Sequence, residues 1–113
     1  MNDTEFNDLA DQTFGLIEDA VDTLDMDLDF DQAEGVLTIE CPDTSLLILS
    51  RQVANQEIWI AARSGGYHLA LVDESWVCSK TGESLGLLLS RLLTEQTARE
   101  VSFQVNHRLF GAA

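Results

Sequence analysis

Seven carboxylates crowd between residues 18 and 31: Glu18, Asp19, Asp22, Asp25, Asp27, Asp29 and Asp31, with no lysine or arginine among them. Their oxygens are hard ligands that suit Mn²⁺, Co²⁺, Ca²⁺ or Mg²⁺, and the stretch lacks the imidazole or thiolate that selects zinc or copper. Asp25, Asp27 and Asp29 fall at the first, third and fifth positions of a calcium-binding EF loop. That loop needs glycine at position six and a bidentate glutamate at position twelve, and here those places hold Phe30 and Val36. The acids are therefore spread along a surface rather than converging in a cage. Such a surface binds cations weakly, at several sites in fast exchange and with little selectivity.

Other reactive side chains are sparse. His68 and His107 are the only imidazoles. Ser64, His68 and Asp73 could be written as a triad, but no nucleophile elbow or oxyanion loop accompanies them. Cys41 and Cys78 have no CxxC spacing and no histidine pair nearby, which argues against structural zinc and for two ordinary thiols in a reducing compartment. Gly65-Gly66 lies between strands and not before a helix, so it is no phosphate-binding loop. Trp59, in Ile58-Trp59-Ile60, faces opposite to its isoleucine neighbours. An outward indole is a common interface anchor.

The charge is lopsided. The chain of 113 residues carries -14, and residues 1–50 contain no lysine or arginine at all. A cationic partner, either metal ions or a basic protein surface, fits that asymmetry; nucleic acid and anionic membranes do not. The length suits a single domain, 1–113. Neither the acidic opening nor the short apolar runs read as a signal peptide or a membrane span, so the expected location is the cytoplasm.

These side chains need elements to hold them. Phe6, Leu9, Ala10, Ile17, Ala20, Val21 and Leu24 recur at helical steps over residues 4–24, with Asn2 and Glu5 spaced as a capping box. Asp8, Asp11, Glu18, Asp19, Asp22 and Asp25 share the opposite arc. From Asp25 to Asp31 the period becomes two, which predicts a strand with Met26, Leu28 and Phe30 inward and four aspartates outward. A meander follows: strands at 36–40, 46–52, 57–63, 67–72 and 75–79, with a turn at Ser64-Gly65-Gly66. Leucines at 85, 88, 89, 92 and 93 then predict a second helix over about 83–100. The apolar tail, residues 101–113, should pack back on the domain. The fold class is α+β, a two-layer sandwich of an antiparallel sheet with both helices on one face, in the order α-β-β-β-β-β-β-α.

That order, the acidic helix running into an acidic strand, and the stretch Ser50–Leu71 (SRQVANQEIWIAARSGGYHLAL) with Glu74-Ser75-Trp76-Val77-Cys78 and Thr81-Gly82-Glu83 resemble the frataxin family in its bacterial CyaY branch. Three positions depart from the family's usual residues: Ser50 for Asn, Ala54 for Pro and Glu57 for Gln. The resemblance implies a non-enzymatic, mostly monomeric regulator of iron–sulfur cluster assembly. Its metal would be iron, held weakly by the seven carboxylates. Its partners would be the cysteine desulfurase and the cluster-assembly scaffold, met through Glu18, Asp19, Asp22, Arg51, Gln52 and Trp59. The alternatives are a ferroxidase or iron-storage protein, for which no Glu-x-x-His motif is present, and an acidic interaction module that works without metal.

Overall fold

The structure, a computed structural model, describes residues 1–111; Ala112 and Ala113, the end of the expected tail, lie outside them. Among the described residues, helix α1 (Asp3–Thr23) is followed by strands β1 (Asp29–Ala33), β2 (Val36–Glu40), β3 (Leu46–Gln52), β4 (Glu57–Ala62), β5 (Gly65–Val72) and β6 (Ser75–Cys78), then by helix α2 (Leu85–Thr97). The strands form one antiparallel sheet in sequence order. This is the expected α+β sandwich. Alternation along each strand sends Leu37, Ile39, Leu47, Leu49, Ile58, Ile60, Leu69 and Trp76 inward, where they meet Phe6, Phe14 and Ile17 of α1 and Leu88, Leu89 and Leu92 of α2.

Asn2 and Glu5 close the capping box that starts α1. On its buried face Thr13 accepts a hydrogen bond from the Trp76 indole (2.9 Å) and donates to the Leu9 carbonyl (2.7 Å), so the one polar group of Trp76 is satisfied inside the core. At the far end of the sheet the buried Gln96 amide accepts from the Arg63 backbone and donates to Ser45 and to the Leu46 carbonyl, tying α2 to two strand turns.

Beyond α2 the chain runs back along that helix. The Ser90 and Thr94 hydroxyls engage the backbone of Phe103 and Val101, and Val101, Phe103, Leu109 and Phe110 are buried. His107 then reaches Gln12 of α1. The close approach needs a helix residue without a side chain: a Cβ on Gly86 would stand 2.9 Å from the Phe110 carbonyl oxygen.

Three expected boundaries are corrected. Residues 25–28 are not strand, because β2 offers no partner beyond Glu40, which already pairs with Asp29. Two successive three-residue turns form instead, Met26 N–H to Leu24 and Leu28 N–H to Met26. The β4–β5 turn is Arg63-Ser64, so Gly65 and Gly66 are paired strand residues, opposite Ala62 and Ala61. Helix α2 is shorter than expected, since Ser84 caps its start and Ala98 turns left-handed (φ 56) at its end.

Candidate functional site: an acidic ridge beside an open sheet face

The seven acids lie where α1 passes into the edge strand β1. Asp19 and Asp22 are exposed on α1, and Glu18 is half-buried on the same helix. In the turn segment Met26 and Leu28 stay half-buried while Asp25 and Asp27 are exposed, so the inside–outside alternation survives although the strand does not. Asp29 and Asp31 project from β1 on the face of the sheet away from the helices, as Phe30 packs inward. Among the described residues none of the seven takes part in an ion pair. Nor does any group of three His, Cys, Asp or Glu side chains converge as a metal cage.

Two further residues join this ridge that the spacing of the acids does not reveal. Glu40 stands directly opposite Asp29 in the β1–β2 register, placing like charges across the pair. Gln32, with its amide nitrogen toward α1, donates to both carboxylate oxygens of Glu18 at 3.0 and 3.3 Å, which ties helix to strand. Counting outward from the Glu34-Gly35 turn finds Glu40, because a two-residue hairpin with positive φ at both positions (53 and 78) sets the register. Gln32 has no comparable signal.

Arg51 is on the helix side of β3, in line with Leu47 and Leu49. Its side chain passes over the Gly35 turn, where a Cβ would meet Nε at 2.6 Å, and ends on Asp11 of α1 at 2.5 Å. Gln52 and Trp59 occupy the opposite, open face. Arg51 therefore stands apart from these two, with its charge already engaged.

On the open face Trp59 is half-buried between its cross-strand neighbours Ser50 and His68. Its indole stacks on the His68 ring at 4.3 Å between centroids with 7° between planes, and its N–H donates to Glu57 at 2.8 Å. Gln52 donates to Ser50 beside it. His68 is thus a partner of Trp59. Ser64 bonds to the Tyr67 hydroxyl (2.9 Å), so the two residues of the conceivable triad engage different groups.

Both thiols are free and buried. Burial pushes the Cys41 thiol up. At Cys78 burial also raises the thiol, but hydrogen bonds from Thr81 and from the Lys80 backbone outweigh it and leave it lowered.

Residues 1–99 match the model of the Frataxin-like domain family. The iron–sulfur cluster assembly protein CyaY of Vibrio parahaemolyticus is 38% identical over 103 residues, covering 91% of this chain and 99% of that protein. The protein of the same name from Pseudomonas entomophila is 41% identical over 105 residues, covering 91% and 96%. Among solved structures, frataxin from Psychromonas ingrahamii superposes with a TM-score of 0.85 at 31% identity, covering 93% of this chain and all of that one.

Proposed function

Since this chain belongs to the frataxin family, in its CyaY branch, we propose that it serves iron–sulfur cluster assembly as a non-enzymatic accessory protein acting through the acidic ridge. In this reading Glu18, Asp19, Asp22, Asp25, Asp27, Asp29 and Asp31 bind iron weakly. The same ridge, with Gln52 and Trp59 on the adjoining face, docks on a basic patch of the cysteine desulfurase near the scaffold. The supporting observation is the continuity of seven carboxylates, free of ion pairs among the described residues, along one edge.

The physics of that edge gives it both abilities. Carboxylates about 7 Å apart repel by roughly 0.6 kcal/mol per pair in water, and the repulsion accumulates along the ridge. A bound cation or a basic surface relieves it. Separated ligands on an open surface complete no coordination sphere, so they hold an ion loosely and leave most of its waters in place. Loose binding suits a protein that responds to metal and passes it on, and it suits storage or oxidation at a fixed centre poorly.

A heteronuclear NMR titration tests the reading, with Fe²⁺ added anaerobically to one labelled sample and purified cysteine desulfurase to another. Perturbation of residues 18–31 is expected in both, confined there with iron and extending to Gln52 and Trp59 with the desulfurase. Desulfurase binding without any effect of iron there would leave a docking surface and remove the metal role. A ridge untouched by either ligand would end the proposal.

A further inference from the structure

We propose that Glu57 and His68 are positioning residues for Trp59, a two-sided clamp that presents the indole as a fixed slab to a protein partner. The proposal rests on the reading that the open sheet face meets a partner. Three contacts carry it. The Glu57 carboxylate accepts the indole N–H at 2.8 Å, which fixes the edge of the ring. The His68 imidazole lies parallel to the indole at 4.3 Å, which covers one of its faces. Glu57 Oε1 also stands 3.9 Å from His68 Nδ1, so the two clamping groups lie side by side.

Strand register makes the arrangement reproducible. Trp59 pairs directly with His68 on β5 and with Ser50 on β3. The imidazole fills one flank, and the other carries only a small hydroxyl side chain that is bonded to Gln52. Glu57 precedes Trp59 by two residues on the same face. The outcome is a planar apolar surface with a carboxylate at its border, on the face that also carries Asp29, Asp31 and Glu40. A guanidinium matches that combination, because it stacks on an aromatic face while pairing with a carboxylate. The partner chemistry is therefore an arginine-bearing surface. Glu57 supplies the charge in that match.

Holding the ring before binding removes an ordering cost of the size attached to one immobilised side chain, which corresponds to about a two- to tenfold gain in affinity. The experiment follows the Trp59 indole N–H cross-peak in the free protein, with the buried Trp76 indole as internal reference, in Glu57→Ala, Glu57→Gln, His68→Ala and His68→Phe. The same variants are then titrated with purified cysteine desulfurase. The alanine variants should shift and broaden the Trp59 peak and weaken binding by about two- to tenfold. His68→Phe keeps the stack and should restore both readouts. Glu57→Gln keeps an acceptor and should preserve the peak, but with the border charge lost it should still weaken binding at low salt.

An unchanged Trp59 peak in both alanine variants would overturn the clamp. A loosened peak with unaltered affinity, where Trp59→Ala itself weakens binding, would overturn the positioning role. If Trp59→Ala binds like wild type, the docking reading of this face fails, and the free-protein peak alone decides whether the clamp exists.

Discussion

Replacing Glu40 by glutamine should make this protein more stable, and the gain should depend on salt. Glu40 faces Asp29 across the β1–β2 pair, at the edge of the sheet where both are exposed. Directly opposed side chains in an antiparallel pair stand about 5 Å apart. At that distance two unit charges repel by about 0.8 kcal/mol in water. In about 10 mM salt the screening length is near 30 Å and most of the repulsion survives; in 1 M salt the length falls to about 3 Å and roughly a fifth survives. For a domain of this size about 0.7 kcal/mol moves the melting temperature by about 3–5 °C. Glu40→Gln should therefore melt a few degrees above wild type in about 10 mM salt and nearly coincide with it in 1 M salt. In an Asp29→Asn background the same substitution should gain much less. Thermal unfolding followed by circular dichroism at the two salt concentrations is sufficient. Equal melting temperatures at low salt, or a difference that persists undiminished in 1 M salt, would refute the electrostatic account.

Three further outcomes follow from other parts of the fold. Phe103→Ala removes a buried ring from the returning tail and should cost about 3–5 kcal/mol in urea unfolding. Thr13→Val preserves shape but takes away the acceptor of the Trp76 indole N–H, so it should cost about 1–3 kcal/mol, with a change in near-ultraviolet circular dichroism. The Arg91 guanidinium, bonded to Glu83 through two nitrogens, holds the Glu83 carboxyl below its usual range. A carboxyl lowered on folding contributes stability above its unfolded pKa that is lost as pH falls through the folded value. Acid titration of stability should thus be shallower in Glu83→Gln than in wild type, and parallel curves would refute the assignment.

The order of elements was legible because the apolar period switches cleanly from helical to alternating and back, and because Glu34-Gly35 and Asp73-Glu74 mark two-residue turns. The end of α1 and the start of β1 were harder. Alternation from Asp25 to Asp31 reports which side chains face inward, and consecutive tight turns repeat every two residues just as a strand does. What decides between them is whether a neighbouring strand is present to pair, and that depends on where β2 ends. The β4–β5 turn was misplaced because adjacent glycines suggest a bend, whereas Gly65 and Gly66 occupy paired positions. That shift concealed the pairing of His68 with Trp59. The acidic residues of the ridge could be named from their spacing alone. Glu40, Gln32 and His68 come to the site only through cross-strand register or side-chain contact, which no local pattern records.

Strand β1 is also one border of the sheet, five residues whose outer backbone groups have no neighbouring strand among the described residues. A border of that kind is a template on which another polypeptide can add itself, and acidic side chains along it keep such an addition from starting. The mutual repulsion that weakens the isolated fold thus also works against edge-to-edge association of its molecules. Variants relieved of Asp29 or Asp31 would gain heat resistance and lose colloidal protection together, so their melting temperatures and their solubility limits should move in opposite directions.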